Sequence, residues 1–234
     1  MKCNASYLSA SAMAGVGHEQ AGAPERVVLL HGILNPRWVM TPLARRLKSE
    51  GFTVYVWPYP GSRKKIEDHA ASLAVYVKEL PGTGVIHFVG FSLGALVIRY
   101  MLTHFPLAHV GRFVMIGPPN HGSARGEKLY RGKAFIRWLY GNLAMRQLFP
   151  SAVDFYERCG IPPVEFGIIA GDLGPKKWWL PGLSGPHDGT VTVESARLEG
   201  AKDFITLNHW HMALLWARDT KESVVHFLKR GSFR

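Results

Sequence analysis

Ser92 stands in Gly90-Phe91-Ser92-Leu93-Gly94, with a glycine two residues away on either side. Before it runs Val85-Ile86-His87-Phe88-Val89, short, apolar and rich in β-branched residues, which reads as a buried strand. After it comes Ala95-Leu96-Val97-Ile98-Arg99-Tyr100-Met101-Leu102, long and apolar enough for a buried helix. A serine on a strand-to-helix turn this tight sits in a strained backbone, with its hydroxyl raised above the sheet. The glycines are required because larger side chains two residues away would collide. A hydroxyl is a poor nucleophile at neutral pH and needs a base, and the base needs an acid to hold its tautomer. Downstream stand Asp188, in His187-Asp188-Gly189-Thr190-Val191, and His209 and His211, in Asn208-His209-Trp210-His211-Met212. Asp172, in Ala170-Gly171-Asp172, is a second carboxylate within reach of a strand end. Residues of these types could run acyl transfer through a covalent serine intermediate.

The elements that must hold these residues alternate. Strands are expected over 26–30, 53–57, 85–89, 112–117, 164–170 and 203–207, each a short apolar run. Helices are expected over 40–50, 66–80 and 95–102, and again from about 212 to 229. Strands alternating with helices predict a parallel sheet covered on both faces. Ligands of such sheets bind at the carboxyl ends of the strands. His31, Ser92, Asn120 and the loop after Ala170 all fall there.

At 234 residues the chain fits one domain with a sizeable core. Residues 1–23 read as a flexible arm and 24–234 as the folded domain, with a helical insertion at about 123–163. No run of about 18 apolar residues suggests a membrane span, and the first residues make a poor signal peptide. A cytoplasmic protein is expected, with secretion as the alternative. Cys3 and Cys159 are too few for a disulfide framework and lack metal spacing. The net charge of +11 comes from short, scattered basic groups such as Arg63-Lys64-Lys65. That pattern argues against nucleic acid as a partner and reads as ordinary surface charge, with weak contact with anionic lipid interfaces as the alternative.

The chain resembles the small bacterial lipases and esterases of the α/β-hydrolase superfamily. The likeness is carried by His31-Gly32-Ile33, Gly90-Phe91-Ser92-Leu93-Gly94, Pro118-Pro119-Asn120-His121-Gly122-Ser123, Asp188-Gly189-Thr190-Val191 and His211. It implies an α/β-hydrolase fold with a minimal, mostly parallel central sheet of about six strands and helices on both faces. It also implies a Ser-acid-His order along the chain, with Ser92 as nucleophile, Asp188 as acid and His211 as base. The backbone N–H groups of Ile33 and Leu93 would form the oxyanion hole. No cofactor or metal is expected, and the substrate would be an acyl ester, cleaved as by a lipase or esterase. An acyltransferase or thioesterase using the same residues is the alternative, as is a scaffold that only binds. His209 stays open as the base and Asp172 as the acid. Asp-Gly-x-Val favours Asp188, and the helix start at Met212-Ala213-Leu214-Leu215 favours His211.

His31 and Asn120 are expected at the substrate site, His31 bracing the oxyanion loop and Asn120 and His121 shaping the rim. Trp178-Trp179, beside the acid loop, suits acyl or lipid contact. Between Asn120 and Val164, Leu129, Phe135, Ile136, Leu139, Tyr140 and Leu143 recur at helical spacing among basic residues. This predicts one basic amphipathic helix, packed on the sheet or capping an acyl pocket. His18, His69, His104, His109 and His226 read as surface residues. Asp172 and Asp203 are the candidates for a structural calcium.

Overall fold

A computed structural model describes residues 24–132, 143–174, 180 and 183–234. Six strands form one sheet: β1 (Arg26–Leu30), β2 (Thr53–Val56), β3 (Ile86–Phe91), β4 (Val110–Ile116), β5 (Phe166–Gly171) and β6 (Asp203–Leu207). Their spatial order is β2-β1-β3-β4-β5-β6, and every neighbouring pair is parallel. Parallel strands need crossovers, and the sequence supplies helices for them: α1 (Thr41–Ser49), α2 (Ile66–Glu79), α3 (Leu93–His104) and α7 (Val193–Ala196) among others, while α9 (Arg218–Arg230) follows β6. The central strands lie between these helices, which is why they read as unbroken apolar runs.

Alternate residues of each strand feed two cores. Val28, Leu30, Phe88, Phe113 and Met115 pack with α2 and α3. Val27, Leu29, Val89, Val114 and Ile116 pack with α1 and α9 on the other face. Helix α3 is buried nearly all round because α2 and a later helix, α6 (Val153–Cys159), cover its outer side. Its apolar run therefore shows no polar face.

Strand order reverses between β1 and β3, the switch point where open α/β sheets bind ligands. The turn after β1 and the residue after β3, Ser92, meet at that crevice.

Two expectations are corrected. The last helix is two: α8 (His211–Trp216) and α9, with Ala217 extended between them at φ −60° and ψ 143°. The break lets α8 turn Leu214 and Leu215 inward while α9 lays Val224, Val225, Phe227 and Leu228 on the sheet. One extended residue leaves the apolar spacing almost unchanged, so periodicity runs through it. The insertion is also not one helix. Its described parts are α4 (Ala124–Gly132), α5 (Leu143–Gln147) and α6, with Pro150 in the turn between α5 and α6. Phe135, Ile136, Leu139 and Tyr140 lie outside the described residues, as do the arm, Cys3, Trp178 and Trp179.

Candidate active site

Ser92 has φ 52° and ψ −120°, a conformation that L-residues adopt only under constraint. The flanking glycines show what the constraint is. A Cβ on Gly90 would come within 2.5 Å of Ala95 Cα, and one on Gly94 within 2.6 Å of the His31 carbonyl oxygen. The turn closes only where neither atom exists. Leu93 opens α3, so its amide lies in the first helical turn, where N–H groups have no intrahelical acceptor.

Asp188 and His211 come from separate loops and meet. His211 Nδ1 donates to Asp188 Oδ2 at 2.6 Å, and the His211 amide donates to the Asp188 carbonyl at 2.8 Å. Asp188 Oδ1 accepts the amides of Thr190 (2.9 Å) and Val191 (2.8 Å). The carboxylate is thus held by three donors while only 1% exposed. Donation from Nδ1 leaves Nε2 of His211 as the acceptor nitrogen of the neutral ring. Phe91 packs against that ring, with centroids 4.9 Å apart. Gly117, at φ 55°, makes the room, since a Cβ there would sit 3.0 Å from His211 Cε1.

One cavity of about 340 Å³ holds the site. Ser92 and His211 both line it, without a direct hydrogen bond between them, and so do Ile33, Leu34, Asn35 and Phe91. Further lining comes from the 119–129 segment and α5: Pro119, Ser123, Arg125, Gly126, Leu129 and Met145, with Leu148 after the helix. Ile33 and Leu34 occupy the turn from Gly32 to Asn35, closed by the Asn35 amide on the Gly32 carbonyl at 3.3 Å. Leu34 at φ 56° is a second strained residue at the cavity.

The rival candidates have other partners. His209 Nε2 donates to both carboxylate oxygens of Asp219 at 2.9 Å, away from the cavity. Asp172 Oδ1 caps a turn by accepting the Gly174 amide at 2.8 Å. Asp203 takes the amides of Phe204 and Phe233. Among the described residues no group of three or more His, Cys, Asp or Glu is arranged to hold a metal.

His31 and Asn120 do not line the cavity. His31 is buried behind the turn, stacked on Tyr59 at 4.6 Å with Nδ1 donating to the Gly32 carbonyl. Tyr59 Oη donates in turn to the His31 carbonyl at 2.7 Å. Asn120 is wholly buried; Arg99 donates to its Oδ1 at 3.2 Å, and its Nδ2 donates to the Ala196 carbonyl at 2.8 Å. Both side chains are spent inside the protein, because the loops they begin turn inward. His121, by contrast, lines an adjoining cavity. His69 is not a surface residue: it is 1% exposed on α2, edge-on to Tyr59. Sequence reasoning missed Gly117, Ser123 and Arg125. A glycine at a strand end signals the first, while nothing in local periodicity marks the other two.

Residues 27–229 match the alpha/beta hydrolase family. The chain belongs to that family. Solved structures agree on the fold of this alpha/beta hydrolase. It is similar to the mature lipase BlEst2 of Bacillus licheniformis (20% identity, 94% of this chain and 96% of that one, TM-score 0.74). A metagenomic carboxyl esterase, MGS0156, is similar over 83% of this chain and 66% of its own (20% identity, TM-score 0.65). So is tomato methylketone synthase I, crystallised with 2-tridecanone (13% identity, 88% and 98% coverage, TM-score 0.59). No curated protein matched the chain. Family membership supports hydrolase chemistry. No helix among the described residues is long and apolar enough to cross a membrane.

Proposed function

We propose that this alpha/beta hydrolase cleaves carboxylic esters through an acyl-enzyme on Ser92. The observation that carries the reading is the buried Asp188–His211 pair, 2.6 Å apart, opening onto the cavity that also holds the strained Ser92. Ser92 Oγ attacks the ester carbonyl while His211 Nε2 takes its proton. Bases and nucleophiles in empty sites are often looser than this step needs, and contact tightens once substrate fills the cavity. Asp188 keeps Nδ1 protonated and stabilises the imidazolium that forms. The alkoxide of the tetrahedral intermediate is received by the amides of Ile33 and Leu93. Each such donor is worth about 3–4 kcal/mol at the transition state. His211 then protonates the leaving alcohol, and water activated by the same imidazole releases the acid.

The lining supports an acyl substrate. Ile33, Leu34, Phe91, Leu129, Met145, Leu148, Val191 and Met212 give an apolar wall for a hydrocarbon chain. Hydrolysis of p-nitrophenyl esters from acetate to palmitate, by wild type and Ser92→Ala in parallel, tests the reading. The expected result is turnover that falls by about 10³-fold or more in the variant, with folding intact. Equal rates in both proteins would refute it.

A further inference from the structure

Arg125 is a cationic residue of this cavity that the ester chemistry above leaves unused. It is half-buried near the start of α4 and lines the cavity with Ser92 and His211. Among the described residues no Asp or Glu lines that cavity. Among the described residues Arg125 has no ion pair, whereas Arg46, Arg112, Arg131, Arg158, Arg197 and Arg218 each meet a carboxylate. Of the residues outside the described ones, 133–142, 175–179 and 181–182 contain no Asp or Glu, and 1–23 contain one, Glu19. A cationic side chain lining a largely apolar cavity, with no counter-charge among the described residues, gains a partner when an anion arrives. Its planar fork of donors suits a phosphate or carboxylate.

We propose that Arg125 is a specificity-determining, anion-binding residue, and that the preferred substrates are acyl esters bearing one phosphate or carboxylate group. This rests on the ester-hydrolase reading of Ser92. The apolar wall takes the hydrocarbon chain, and Arg125 takes the charge as the cavity loses its water. Specificity arises because a neutral ester desolvates the guanidinium without pairing it.

Two matched substrate pairs test this. One is octanoyl glycerol 3-phosphate against monooctanoyl glycerol; the other is p-nitrophenyl hydrogen adipate against its methyl ester. The readout is the ratio of kcat/KM for the anionic over the neutral member. Wild type is expected to favour the anionic member by about tenfold or more in at least one pair. The pair that shows the preference identifies the phosphate or the carboxylate. In Arg125→Gln the ratio should fall to near one, and Arg125→Lys should keep part of it. A merely structural role would lower both rates and leave the ratio unchanged. A wild-type ratio near one in both pairs, or the same ratio in Arg125→Gln, overturns the proposal while leaving ester hydrolysis standing. Calorimetric binding of octanoyl glycerol 3-phosphate by Ser92→Ala, with and without Arg125→Gln, decides the point independently of turnover. Affinity weakened about tenfold or more supports it, and equal affinity overturns it.

Discussion

His209 and His211 are separated by one tryptophan, yet their rings have different partners. The ring of His209 is held by Asp219 outside the cavity, and that of His211 by the buried Asp188 at the cavity wall. The difference predicts unequal effects on catalysis. Asp188→Asn removes the acceptor that fixes the His211 tautomer, and should lower kcat by about 10⁴-fold. His209→Ala loses only a half-exposed contact with Asp219, worth about 1 kcal/mol or less, and should keep kcat/KM within about threefold. Steady-state kinetics on p-nitrophenyl butyrate for both variants makes the comparison. A severe loss in His209→Ala with a mild one in Asp188→Asn would reverse the assignment. The sequence left both histidines open as the base, with the helix start at Met212 favouring His211. The carboxylates' places in three dimensions give the two rings their different partners.

The turn after β1 depends on elements far from it in sequence. Tyr59, after β2, stacks on His31 and bonds its carbonyl; His69 on α2 meets the edge of the Tyr59 ring. Burial pushes the His31 imidazole below its usual range and that of His69 down to about 4. Around His69, Lys64 and His31 act in the same direction as burial and Asp68 opposes them. His69 Nε2 is buried with no hydrogen-bond partner, so a proton there gains no hydrogen bond. Between about pH 6.5 and pH 4 the unfolded chain binds more protons at His69 than the folded one. Stability from this group is therefore complete above about pH 6.5 and is lost as pH falls toward 4. Thermal unfolding from pH 7 to pH 4.5 should show a falling Tm in wild type and a shallower fall in His69→Phe. Parallel curves would contradict the account. Helical spacing gave α2 its place, but His69 read as a surface residue because sequence does not show that Tyr59 covers it.

Across the whole molecule, legibility follows burial. Strands enclosed by two helical layers declare themselves as apolar runs, so the six-stranded order of elements was readable before any coordinates. The elbow was readable too, because Gly90 and Gly94 are the chemical trace of a steric limit. What escaped depends on contacts made at long range. Asn120 turns inward to Arg99 and Ala196, Ala217 splits a helix whose apolar spacing continues, and Arg125 reaches the cavity through a fold of the insertion. Their local sequence is compatible with other fates.

The central claim is that Ser92 is a nucleophile activated by the pair beside it. Intact-mass measurement after reaction with a fluorophosphonate, on wild type and on Ser92→Ala, tests it most directly. The account predicts one stoichiometric adduct in wild type, mapped to Ser92 by peptide sequencing, and none in the variant. A folded wild-type protein that stays unmodified, or an adduct that persists in Ser92→Ala, would contradict it.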